Sequence, residues 1–141
     1  GGTAVLSNSS SYNTPSITVT TNYYAVARSS ATGCSSSRTT VQARVNPIPA
    51  APTAGNNAVC NSGSVVITAN VLSGQTADWY SAATGGTLLA SGTTAFTTPV
   101  INTTTNYYVL TRDITTGCTS TTRTLVQAIV NFGISTSSRR N

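Results

Sequence analysis

The sequence predicts an all-β protein, a two-layer sandwich present once as a whole unit and once as a C-terminal half. Three observations carry that expectation. Ser and Thr make up about a third of the 141 residues, and Thr favours strands through its branched Cβ while Ser favours turns. Short apolar stretches alternate with Gly, Asn, Ser and Thr turns at sandwich spacing. A long segment recurs at a constant offset, the mark of a repeated structural unit.

The repeat is the most informative of the three. Thr14-Pro15-Ser16-Ile17-Thr18-Val19-Thr20-Thr21-Asn22-Tyr23-Tyr24 returns as Thr98-Pro99-Val100-Ile101-Asn102-Thr103-Thr104-Thr105-Asn106-Tyr107-Tyr108, 84 positions later. Gly1-Gly2-Thr3 matches Gly85-Gly86-Thr87, and Thr32-Gly33-Cys34 matches Thr116-Gly117-Cys118, at the same offset. After one inserted residue, Val41-Gln42-Ala43 matches Val126-Gln127-Ala128. Residues 1–46 therefore correspond to residues 85–131. The expected organisation is immunoglobulin-like β-sandwich repeats, with a C-terminal half-domain at 1–46, a linker at 47–52, a complete domain at 53–131 and a tail at 132–141. Pro47, Pro49 and Pro52 make the linker semi-rigid and extended, since each fixes φ and lacks an amide donor.

Within the complete unit, strands are expected near 52–59, 64–71, 76–81, 86–91, 95–101, 105–113 and 122–130. Gly85-Gly86 reads as a hairpin turn. The two copies indicate which faces are buried. Arg44 aligns with Ile129, so that position tolerates a charge and faces solvent. Val41, Ala43 and Val45, with Val126, Ala128 and Val130, then face the core, because side chains alternate along a strand. By the same reasoning Tyr23 and Tyr107 point inward with Val109, while Arg28 and Arg112 point outward. Trp79, on a central strand, fills the core.

Charged residues are 6% of the chain. The seven basic residues are Arg28, Arg38, Arg44, Arg112, Arg123, Arg139 and Arg140, and the two acids are Asp78 and Asp113. Lys, Glu, His and Met are absent. A net charge of +5, scattered except for Arg139–Arg140, does not resemble the clustered basic patch of a nucleic-acid binder. No apolar run approaches the ~20 residues of a membrane-spanning helix. The missing initiator Met is read as a processed chain or a fragment. Low Lys and Glu with high Ser/Thr points to an extracellular or cell-surface setting.

Catalysis by one of the many hydroxyls requires a base within reach, and no His, Lys or Glu exists to serve. Asp78 and Asp113, the sole candidates for paired carboxylates, read as solvated acids beside strands. No cofactor is expected. Two carboxylates are too few for a strong calcium site, and three cysteines with no Cys-x-x-Cys pair and no His do not make a zinc site. No metal is therefore expected. Asn8-Ser9-Ser10 and Asn102-Thr103-Thr104 match the N-glycosylation pattern, which a Ser/Thr-rich chain generates by chance.

Cys60 and Cys118 belong to one unit in a chain of secreted character, so a disulfide between them is expected. Closing a loop of about 58 residues would contribute roughly 4 kcal/mol in the chain-entropy treatment. Cys34 is the equivalent of Cys118, with its partner outside residues 1–46. It is free, paired to another chain, or orphaned.

Trp79-Tyr80-Ser81-Ala82-Ala83-Thr84-Gly85-Gly86-Thr87, followed by Phe96-Thr97-Thr98-Pro99, Thr105-Asn106-Tyr107-Tyr108-Val109 and Gly117-Cys118, resembles a bacterial family. It is similar to the Ig-like repeat domain of large secreted and gliding-motility-associated surface proteins of the Bacteroidetes, often exported by the type IX route. The resemblance covers nearly all of residues 52–131, with residues 1–46 as a half. It implies a β-sandwich repeated along surface proteins, and it implies no catalytic residues.

Two functions follow as expectations. One is a non-enzymatic structural or adhesive module of a stalk, surface fibre or filament, self-associating or packed against neighbouring repeats. The other is a carbohydrate-binding accessory module, for which Tyr24, Tyr80 and Tyr108 are the candidate platform for a surface polysaccharide. A half-sandwich exposes apolar surface and open edges. Either residues 1–141 are a window on a longer array, or another chain completes the half. In the second case Phe132 and Ile134, in the alternating tail, are candidates for strand donation to a neighbour.

Overall fold

The computed structural model describes residues 2–133, and every strand in it is β. The chain divides into two compact units, Gly1–Asn46 and Pro47–Asn141.

The first unit contains one antiparallel pair, β1 (Thr21–Ala25) and β2 (Thr39–Ala43). Tyr23 lies opposite Val41, and Asn22 opposite Gln42. The connection between them closes on Gly33, whose φ of 75° lies in the left-handed region that glycine adopts without strain.

The second unit is a sandwich. Its strands are β3 (Thr53–Gly55), β4 (Asn57–Cys60), β5 (Val66–Asn70), β6 (Gln75–Tyr80), β7 (Leu88–Ser91), β8 (Ala95–Thr97), β9 (Thr105–Asp113) and β10 (Thr124–Asn131). One sheet has the order β4-β10-β9-β6-β7 and the other β3-β5-β8. Alternation along the strands sends one set of apolar side chains inward from each sheet. Ile67 and Ala69 from β5 meet Ala77 and Trp79 from β6, Tyr107 and Val109 from β9, and Val126, Ala128 and Val130 from β10 in one buried cluster. Trp79, Val109 and Val126 are fully buried. Burying each such side chain contributes about 1.5–3 kcal/mol, which is substantial in a chain so poor in large apolar residues.

The sequence expectation of one strand at 52–59 needs correction. The segment crosses from one sheet to the other at Asn56. β3 pairs antiparallel with β5, whereas β4 pairs parallel with β10. Asn56 holds the crossing, its side-chain oxygen accepting from the Gln127 amide at 2.8 Å. The expected strand at 95–101 shortens to β8, because Pro99 has no amide to continue the ladder. The linker prolines Pro49 and Pro52 are buried against the second unit, and the Pro52 carbonyl accepts from the Thr124 hydroxyl at 2.6 Å.

The ladders of the two units have one register. Thr105 lies opposite Ala128 and Tyr107 opposite Val126, as Thr21 lies opposite Ala43 and Tyr23 opposite Val41. Gln127 donates to Asn106, and Gln42 to Asn22, each at 3.1 Å. The turn after β9 is duplicated as well. The Asp113 amide donates to the Cys118 carbonyl at 2.8 Å, as the Ser29 amide does to Cys34, and Gly117 repeats the φ of 75°.

Candidate functional site

Both faces of the five-stranded sheet carry distinctive side chains. On the inner face three aromatic rings form a chain. Phe96 stacks on Trp79, centroids 5.8 Å apart, and meets Tyr107 edge-on at 5.4 Å and 63°. The Trp79 indole N–H donates to the Thr93 carbonyl at 2.9 Å, so the ring is buried without an orphaned donor.

On the outer face lies Asp78, one residue before Trp79 and so on the opposite side of β6. The expectation of a solvated acid needs correction, since Asp78 is buried. Its carboxylate accepts from Arg112 Nε at 2.7 Å, Arg112 Nη2 at 3.1 Å, the Ser91 hydroxyl at 2.8 Å and the Gly92 amide at 2.9 Å. These donors come from β7, β9 and the turn after β7, all flanking β6. Burial pushes the Asp78 carboxyl up. The hydrogen bonds from Arg112, Gly92 and Ser91 outweigh it, with the charge of Arg112, and hold the group below its ordinary 3.8. A carboxylate so saturated is a poor proton acceptor and serves to lock three strands together. Arg112 does lie on the outer face, but it is folded onto Asp78.

Asp113 ends β9 and caps the following turn, accepting from the amides of Thr115 at 2.9 Å and Thr116 at 2.8 Å. The Thr116 amide leads in holding its carboxyl below 3.8. Asp78 sits opposite Leu110 in the ladder and Asp113 opposite Gln75, three residues apart along each strand, with separate partners. Among the described residues, no three His, Cys, Asp or Glu side chains cluster as metal ligands.

The tyrosines differ in availability. The Arg123 guanidinium lies 3.5 Å over the Tyr80 ring centroid, a cation–π contact that occupies the face a sugar would need. Arg123 is held there by the carbonyls of Ala82 and Gly85, at 2.6 and 2.7 Å. Tyr108 lies directly opposite Tyr80 and is half-buried, whereas Tyr24 is exposed.

The expected Cys60–Cys118 disulfide needs correction: Cys34, Cys60 and Cys118 are all free thiols. The strand topology gives the reason. Cys60 is paired with Asn131, three residues beyond Ala128, which lies opposite Thr105 at the start of β9. Cys118 is bonded through its carbonyl to Asp113 at the other end of β9. A nine-residue strand spans about 30 Å, whereas a disulfide needs Cα atoms within about 7 Å. The parallel pairing of β4, invisible in the spacing of cysteines, puts the two thiols at opposite ends of the sandwich.

The other site residues fall as follows. Trp79, Tyr107, Val109, Val126 and Val130 are buried in the core. Tyr23 is half-buried, and Val41 is 52% exposed. Phe132 is exposed, and Ile134 lies outside the described residues. No helix among the described residues is long and apolar enough to cross a membrane.

No curated protein matches the sequence. A family model described as an Ig-like domain, CHU_C associated, matches residues 1–47 and 49–131. With nearly the whole chain matched, and an all-β two-sheet architecture in the complete unit, the protein belongs to this family of Ig-like domains of type IX-associated Bacteroidetes proteins.

Proposed function

We propose that this chain is a non-enzymatic structural module of an extracellular stalk, surface fibre or filament, built from tandem Ig-like units and assembled by strand complementation between units. The observation that carries this reading is the shared register of β1–β2 and β9–β10, down to the paired Asn–Gln side chains. Duplication of a scaffold with no duplicated carboxylate is what a load-bearing array requires, since each repeat contributes mainly its own core and its contact with a neighbour. The family supports a generic module of extracellular type. The saturated Asp78 and the covered Tyr80 ring leave little on the outer face for substrate or sugar to engage.

Electron microscopy of the purified protein over a range of concentrations tests this. End-to-end filaments with a repeat of Ig-domain size are expected. Dispersed monomers at every concentration, together with selective retention on a polysaccharide resin, would replace the reading with carbohydrate binding.

A further inference from the structure

The first unit lacks three pieces of regular structure that the second has. Residues 4–7 correspond to β7, residues 11–13 to β8, and residues 26–29 to the second half of β9, yet none of them is a strand. In the second unit β7 pairs only with β6, and β8 only with β5. The second half of β9 pairs with β6 through Tyr108–Asp113. Each difference thus follows from absent partners, and two of the three from a missing β6.

An open groove of about 1000 Å³ takes the place of that strand, lined by Ala4, Leu6, Ser7, Asn8, Val26 and Arg28 among others. Its walls carry the counterparts of the residues that hold β6 in the second unit. Ser7, Asn8 and Arg28 occupy the positions of Ser91, Gly92 and Arg112, the residues that hold the Asp78 carboxylate. Asn8 keeps the left-handed backbone of Gly92, with φ of 61° against 72°, a conformation uncommon outside glycine. Arg28 donates to the Asn8 side-chain oxygen, an amide oxygen on the guanidinium where the second unit has a carboxylate. Residues 1–46 contain no acid.

The aromatic contacts are preserved too. Tyr12 and Tyr23 stand in the places of Phe96 and Tyr107, edge-on at 5.5 Å and 61°. The third ring, the equivalent of Trp79, is missing. Trp79 lies between Ala90 on β7 and Val109 on β9. Leu6 and Ala25 take those two places, so one wall carries a larger side chain and the other a smaller one.

We propose that the groove of the first unit is an acceptor for one extended strand of β6 chemistry, an aspartate followed by a large aromatic residue, from a further copy of this repeat unit. The incoming strand hydrogen-bonds the free edge of β1 by β-augmentation. Its carboxylate takes two donors from Arg28, with the Asn8 amide and Ser7 hydroxyl beside it, and its ring covers Tyr12. This rests on the proposed assembly by strand complementation and names the complementing strand. The tail after Asn131 carries Arg139 and Arg140 but neither an acid nor a Trp, so it does not match the slot.

The test uses the full chain. A copy of residues 47–84 is placed directly before Gly1, where the repeat offset makes the junction continuous. Hydrogen exchange is expected to show protection of the amides of Tyr24, Val26 and Arg28, which alternate with the Ala27 and Ser29 amides already bonded to Ser36 and Cys34 and gain a partner only from the added segment. Aspartate to asparagine at the Asp78 position of the added copy, or Arg28→Gln in the acceptor, is expected to lower that protection about tenfold or more, with little further loss when both are combined. A second arm titrates the chain with a labelled peptide of residues 72–84 and with one of residues 131–141. Equal protection with and without the added aspartate, equal binding of the two peptides, or no protection in the fused chain overturns the proposal. A fused chain with a protected slot that forms no filaments keeps the acceptor and removes the assembly reading instead.

Discussion

Arg112 closes a bidentate pair on Asp78 across the outer face of the five-stranded sheet, Nε to Oδ2 at 2.7 Å and Nη2 to Oδ1 at 3.1 Å. The two residues lie 34 apart in sequence on neighbouring strands, and the carboxylate also reaches β7 through Ser91. Removing the charge leaves Arg112 without its counter-ion. Because 31% of the Arg112 side chain stays in solvent, water recovers part of the loss. Asp78→Asn is expected to destabilise the second unit by about 1–3 kcal/mol at neutral pH.

The pH dependence has a defined sign. A carboxyl held below its ordinary 3.8 in the folded state contributes stability that is fully present above that value and lost as pH falls through the lower folded value. Urea denaturation of the wild type and Asp78→Asn is therefore expected to differ by a constant amount from neutral pH to about 5, and to converge below 3.8. A gap that persists unchanged into strong acid would mean the pair is not the cause.

Thr111 is buried at 1% exposure, and its hydroxyl has no hydrogen-bond partner. Its counterpart in the first unit is Ala27. An unpaired buried hydroxyl costs free energy, and Val has the same shape without it. Thr111→Val is expected to stabilise the second unit by about 1 kcal/mol, read as a higher thermal midpoint. A lower midpoint would show that the hydroxyl is paired.

Trp79 supplies the largest fully buried side chain and the central ring of the Trp79–Phe96–Tyr107 chain. Trp79→Ala is expected to cost about 3–5 kcal/mol in chemical denaturation, through a cavity between the sheets that the β-strands cannot collapse to fill. A loss below 1 kcal/mol, on the same scale, would place the ring outside the cooperative core.

The three free thiols make a direct prediction. A reducing agent is expected to leave the melting temperature unchanged, and alkylation after denaturation without reductant is expected to label Cys34, Cys60 and Cys118. An intradomain bridge closing so long a loop would be worth roughly 4 kcal/mol, so its reduction would lower the midpoint by many degrees.

Much of this architecture is legible in the residues. The exchange of Arg44 for Ile129 between copies orients β10, and Val126, Ala128 and Val130 are indeed the buried set. The Tyr-Tyr strand and the Gly-Cys turn are legible because each occurs twice. Exposure of Val41 at 52%, against 0% for Val126, is not written in the strand itself. It depends on whether an opposing sheet is present. The Cys60–Cys118 expectation failed because sequence spacing does not reveal that a segment changes sheet at Asn56. The burial of Asp78 is not legible locally, because its partner Arg112 lies three strands further along the sequence, on β9. A signal was available in the Ser and the Arg retained in both copies, at Ser7 and Ser91 and at Arg28 and Arg112.

Nuclear magnetic resonance offers the most direct measurement, through cross-strand Overhauser contacts in the full chain. Contacts linking Tyr23 to Val41 and Asn22 to Gln42 are expected to repeat the pattern linking Tyr107 to Val126 and Asn106 to Gln127. Helical chemical shifts over residues 21–25, or a first ladder displaced by even one residue from the second, would contradict the claim that one half-sandwich occurs twice.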